Sequence, residues 1–223
     1  MLRLKNIFLL TLILTIGLQT YGQNKFKIGV GGGLTISNAT ITSKDPIGKL
    51  RPGIGLNTFC SINYQIADKL SAESGLGYYY INYTLVYGDF QNKSGQSHPY
   101  IPLKIKYDLV TLNKVKIYTS IGCAFDFFAV KNITTSIDST SQTTIIDNSL
   151  GKSNQYVNFE IGVKKTTSKN NIHQIGIGLN YGLQTVSKME AFTLNNSNSG
   201  FRTKYNGHYI SLLYTFWFGR KPL

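Results

Sequence analysis

Apolar and polar positions alternate with a period of two along most of the chain, most regularly near its C-terminal end. In residues 205–218 one face carries Ile210, Leu212, Tyr214, Phe216 and Phe218. The other carries Tyr209, Ser211, Leu213, Thr215 and Trp217. Successive strand side chains point to opposite faces, so this is a strand with one apolar, aromatic face and one mixed face. Seven earlier segments read the same way, at about 25–36, 53–66, 70–86, 98–109, 115–130, 154–164 and 172–186. In the first, Phe26, Ile28, Val30, Leu34 and Ile36 alternate with Lys25, Lys27, Gly29, Gly31 and Gly33. In the seventh, Ile175, Ile177, Leu179, Tyr181 and Leu183 alternate with Gln174, Gly176, Gly178, Asn180, Gly182 and Gln184. A long apolar strand at an edge invites aggregation unless it is paired. Pairing the eighth strand with the first closes a barrel and removes both edges.

The connections sharpen this picture. Long polar stretches (37–51, 87–97, 131–152 and 187–204) follow the first, third, fifth and seventh strands, and short turns follow the second, fourth and sixth. Membrane barrels show this asymmetry, with short periplasmic turns and longer external loops. Alternation alone does not say whether the apolar face meets lipid or a core, as it would in a soluble lipocalin-like barrel. The opposite face decides: it is dense in glycine with Asn, Gln, Ser and a few charges, whereas the apolar face carries bulky aromatics near strand ends. No helix pattern follows the barrel, as one would in a lipocalin. The expected fold is all-β, an eight-stranded antiparallel up-and-down transmembrane β-barrel with short periplasmic turns and four longer external loops.

Residues 1–22 read differently. Arg3 and Lys5 precede an apolar run from Ile7 to Leu18, and Thr20-Tyr21-Gly22 places small residues before a cut at Gln23. That is the pattern of a secretory signal peptide, and the run is shorter than the roughly 20 residues of a membrane-spanning helix. The residue directly after the cut is Gln23 and not cysteine, so no lipid anchor is expected. Residues 23–223 then form one barrel domain in the bacterial outer membrane.

Charge adds two candidate sites. Setting Arg3 and Lys5 aside from 23 basic residues leaves 21 against 10 acidic ones, a net charge of +11. The basic residues are dispersed, not clustered on one face or helix as a nucleic-acid surface requires. Nine of them (Lys44, Lys49, Arg51, Lys93, Lys131, Lys152, Lys188, Arg202 and Lys204) lie in or beside the long connections. Lys49, Arg51, Arg202 and Lys204 are the basic rim expected to meet lipopolysaccharide phosphates. The second candidate is interior. Lys27, Glu73, Lys104, Lys106, Asp108, Glu160 and Lys164 fall on inward-facing positions. Eight strands enclose an interior just wide enough for side chains to fill, and unpaired charges there are costly. Glu73 with Lys106 is the first expected pair and Glu160 with Lys104 the second, with Asn180, Gln174 and Gln184 bridging. The lumen is therefore expected to be plugged.

Catalytic and cofactor chemistry is not indicated. The run Gly29 to Leu34 is not G-x-G-x-x-G and precedes no helix, and Gly151-Lys152-Ser153 lacks the upstream glycine of a phosphate loop, because position 146 is Ile146. His98, His173 and His208 are dispersed over three strands, with Ser97 and Ser211 as sequence neighbours of two of them, and no nucleophile, base and acid converge. No metal-ligand spacing occurs, no cofactor is expected, and the chain is read as not an enzyme. Cys60 and Cys123 both fall on the apolar face, on strands three apart, beyond the roughly 7 Å Cα separation of a disulfide. They are expected to be free, lipid-facing thiols.

The final strand resembles the C-terminal signal of bacterial outer-membrane β-barrels. With the signal peptide followed by Gln23, Glu73-Ser74-Gly75-Leu76-Gly77-Tyr78, and the distinctive Ile101-Pro102-Leu103-Lys104-Ile105-Lys106-Tyr107, the chain resembles the PorT-like outer-membrane β-barrel family of Bacteroidetes-type bacteria. The resemblance implies an outer-membrane location and an eight-stranded fold. That family's founding member is linked to protein secretion, which is not carried over. The function expected is structural or interactive, through the external loops, the alternative being a component of outer-membrane transport or secretion. Expected partners are outer-membrane lipids and lipopolysaccharide, the barrel-assembly machinery during insertion, and an envelope protein, but no nucleic acid.

Overall fold

The computed structural model describes residues 25–41, 48–87, 90–127, 133–138, 143–149, 153–184, 187–193 and 196–219. The signal segment and its cut fall outside these, as do Lys44, Lys131 and Lys152. Twelve strands are described: β1 (Phe26–Ile41), β2 (Gly48–Pro52), β3 (Ile54–Ala67), β4 (Leu70–Tyr87), β5 (Phe90–Leu112), β6 (Val115–Asp126), β7 (Ile133–Asp138), β8 (Thr143–Ser149), β9 (Gln155–Thr166), β10 (Ile172–Gly182), β11 (Ser187–Thr193) and β12 (Asn196–Trp217). Eight of them run in the order β1-β3-β4-β5-β6-β9-β10-β12, and β12 pairs back onto β1. Every one of these pairings is antiparallel. The barrel is closed, all-antiparallel and eight-stranded.

Closure has the cause that the alternation implied. Gly29 to Asn38 pairs residue by residue with Trp217 to His208, so the apolar sets of the first and last strands fall on one face. A one-residue slip would turn every side chain of one strand to the wrong side. The apolar set faces outward: Ile54 is 66% and Leu76 67% exposed, and Leu34, Leu103, Ile121, Phe159, Ile177 and Leu212 belong to the same belt. An exposed apolar belt on this scale needs lipid rather than water. The polar set, with most of the glycines, faces in.

The long connections differ from expectation, because much of them is strand. The stretch 87–97 is not a loop: residues 90–97 pair with 80–87 as a hairpin that leaves only residues 88–89 between its arms. Gln91, Lys93, Gly95 and Ser97 are exposed on it, so their polarity reports an exposed polar strand face and not the end of a strand. Likewise β2 lies within the first connection, β7 and β8 within the third, and β11 within the fourth. There β12, β11, β8 and β7 pair in sequence beyond the barrel. A stretch with no regular apolar set lacks the alternation by which strands were recognised, while Thr and Ile still favour extended backbone.

Candidate functional site: the two filled ends of the lumen

Inward positions near the short turns carry ions. The register sets Glu73 opposite Lys104. The ammonium of Lys104 nevertheless reaches Glu160 Oε2 at 2.8 Å, and Lys106 takes Glu73. Tyr118 donates to Glu160, and Gln174 Nε2 donates to the same carboxylate at 3.3 Å. Gln174 Oε1 accepts from Lys106 at 3.3 Å and from the Trp217 indole at 3.2 Å. Lys106 also lies 5.3 Å from the ring centres of both Tyr118 and Trp217. Glu73, Lys106 and Glu160 are all at most 5% exposed, so a missing partner would leave a charge with no water to replace it. Nearer the turns, Asp108 accepts from Lys116 at 3.1 Å and from Lys164 at 2.6 Å.

Inward positions near the long connections carry rings around one carboxylate. Asp126 Oδ2 accepts from Tyr79 at 2.8 Å and lies 3.3 Å from His98 Nδ1, while Asp126 Oδ1 accepts the backbone N–H of Asn154. The hydroxyls of Tyr79 and Tyr156 are 2.5 Å apart. The Tyr79 ring stacks on His98 and Tyr209 with centres 5.1 and 5.2 Å away, and Tyr156 meets it edge-on at 5.8 Å. Tyr100 donates to Asn57 at 3.0 Å. Each of these rings is buried.

Inner-wall glycines make room for the rings. A Cβ on Gly77 would fall 2.3 Å from the Tyr100 ring. Gly207 has a positive φ of 73°, and a Cβ there would meet the Tyr156 hydroxyl at 2.6 Å. Gly207 also lies where β12 exchanges β10 for β11 as its neighbour, a bend that glycine takes without strain.

A closed barrel with a lipid-facing belt and a hydrogen-bonded interior is the architecture of the outer membrane. A family model described as an outer membrane protein beta-barrel domain matches residues 19–164. The chain belongs to this family. Among solved structures it is similar to the outer membrane protein OprG from Pseudomonas aeruginosa, at 14% identity and a TM-score of 0.56, covering 89% of this chain and 98% of that one. It is also similar to the N-terminal β-barrel domain of Pseudomonas aeruginosa OprF, at 18% identity and a TM-score of 0.43, covering 88% and 98%. At such identities the first likeness speaks for the fold alone. No curated protein matches the chain.

In an outer-membrane barrel the short turns face the periplasm and the longer connections face outward, so the ionic layer is periplasmic and the aromatic layer external. Of the seven interior residues named from sequence, Glu73, Lys104, Lys106 and Glu160 form one network, Asp108 and Lys164 form another, and Lys27 has no carboxylate within ion-pair distance among the described residues. Asn180 bonds to Asn158 and Ser211, whereas the Gln184 side chain is exposed and takes no part in the lumen. Arg51 is exposed on β2. The backbone sets Lys49 opposite Val86, Arg202 opposite Glu190 and Lys204 opposite Lys188. His98 is buried against Asp126, His208 accepts from the Gly182 N–H, and His173 shares a 2.7 Å hydrogen bond with Tyr214 on the outer wall. The three histidines remain apart. Cys60 and Cys123 are free.

Sequence reasoning missed two groups. Lys116 has the same parity as inward Tyr118 and Ser120, which would have placed it in the lumen. The aromatic cluster was visible as inward tyrosines near strand ends, but its focus on Asp126 needed the register.

Proposed function

We propose that this protein is a small outer-membrane barrel with a sealed lumen that acts structurally or as an interaction platform through its external strands. The carrying observation is the double filling of the interior, ionic below and aromatic above, with each layer bonded across non-adjacent strands. On this reading the seven interior charges Lys27, Glu73, Lys104, Lys106, Asp108, Glu160 and Lys164 stiffen the barrel rather than guide a solute. On this reading the protein is not an enzyme, and the buried His98–Asp126 pair serves the packing of the tyrosines around it. In planar bilayers the purified protein is expected to show no steady conductance. A stable ion-selective channel of porin-like size would overturn this and favour the transport or secretion alternative.

The same proposal includes a PorT-like assignment, supported by the segment from Ile101 to Tyr107, and cleavage of residues 1–22 before Gln23, checked by N-terminal sequencing of the outer-membrane form. The basic rim Lys49, Arg51, Arg202 and Lys204 is proposed to hold lipopolysaccharide phosphates. Charge reversal at all four should loosen lipopolysaccharide association, and unchanged binding in low salt would count against it. Insertion would use the barrel-assembly machinery, and cross-linking in native outer membranes would identify an envelope protein partner.

A further inference from the structure

The periplasmic mouth of the barrel has a charge pattern that the sealed layer above it does not. In that layer each lysine has its own carboxylate: Lys104 with Glu160 and Lys106 with Glu73. At the mouth, three lysines share one. Lys116 and Lys164 stand directly opposite each other on β6 and β9, and like charges in that position repel. Asp108 bridges them, one oxygen to each ammonium. Lys27 enters from β1, on the far side of the barrel from β6, half-buried at an inward position opposite Asn63 near the same end. Three inward cations from opposing walls therefore stand at this mouth with one carboxylate, which two of them hold, leaving a formal excess of two positive charges. The layer above is neutral and bonded closed, so compensation comes only from the periplasmic side.

The donors are available. An ammonium has three N–H groups, and Lys116 and Lys164 each show one ion pair. Their side chains are 35% and 16% exposed, against 4% for Asp108. The carboxylate sits inside and the spare donors face the opening.

We propose that this mouth is a binding cup for a phosphate group, held between Lys27, Lys116 and Lys164 on the periplasmic side of Asp108. It is a second working surface, at the opposite end of the molecule from the external strands and independent of them. The phosphate comes either from a soluble periplasmic ion or from a lipid headgroup.

The test is an NMR titration of the full barrel at constant ionic strength. Inorganic phosphate added in zwitterionic detergent probes the soluble source. Nanodiscs with phosphatidylglycerol replacing part of the phosphatidylcholine probe the headgroup. A saturable shift at Lys27, Lys116 and Lys164 is expected in at least one arm, and the responding arm names the source. Lys27→Gln removes no ion pair and should fold normally while weakening apparent affinity about tenfold. Lys169→Gln, on the exposed turn at the same end, should leave it unchanged. Asp108→Asn removes the competing carboxylate and should tighten binding, an outcome that structural damage does not produce. Shifts that are absent or never saturate in both arms, or an equal loss with Lys169→Gln, would mean a diffuse counterion cloud only and overturn the proposal.

Discussion

At the periplasmic end of the lumen Glu73, Lys104, Lys106 and Glu160 hold one another as ions. At the external end the rings of Tyr79, Tyr156 and His98 gather on Asp126, and Tyr209 stacks on Tyr79. Both ends exclude water, but their energetic characters differ. Two buried ion pairs stabilise little beyond what an apolar filling would, yet removing one partner is severe because the other charge stays behind. A ring cluster draws stability from area and from offset and edge-to-face packing, with each hydroxyl adding a modest increment. The first end is brittle to single changes and the second is graded.

The sharpest break in this comparison comes from Glu73→Ala, which strands the ammonium of Lys106. The cost should be about 3–5 kcal/mol, read from urea unfolding in detergent micelles and from loss of heat-modifiable gel mobility. Adding Lys106→Met should recover most of it. A double variant as unstable as the single one would show that the pair is not the unit of stability. Gly77→Ala should come next, at about 1–3 kcal/mol, because the new methyl overlaps Tyr100 and that ring must leave its place in the external layer. An unaltered melting curve would show that the layer is looser than the packing implies.

Tyr79→Phe should cost less, about 1–2 kcal/mol. It keeps the ring contacts with His98 and Tyr209 and deletes only the hydrogen bonds to Asp126 and Tyr156. A loss as large as that of Glu73→Ala would make the external end as brittle as the periplasmic one. Smallest of all, Cys60→Ala and Cys123→Ala lie outside both layers on the lipid face and should stay within about 0.5 kcal/mol of the parent. Non-reducing peptide mapping should find both thiols free, as an intramolecular bond would contradict the register.

By itself the sequence determined the barrel, its strand number and which face meets lipid. A period of two is a local property, and an all-antiparallel sheet with one apolar face has few ways to bury its edges. Inward parity likewise identified Glu73, Lys104, Lys106 and Glu160, since a charge on a narrow inner wall has few places to go. The external strands were not legible, because residues 90–97, 133–138 and 143–149 lack the regular apolar alternation that marks a strand. The pairs Glu73–Lys106 and Glu160–Lys104 were expected from parity, but only the tertiary structure decided that tyrosines from β4 and β9 converge on Asp126 while Tyr209 of β12 stacks on Tyr79, and that Asp108 reaches Lys164 of β9. Those contacts join strands far apart in sequence, and stagger and closure, which no local pattern encodes, set which levels meet.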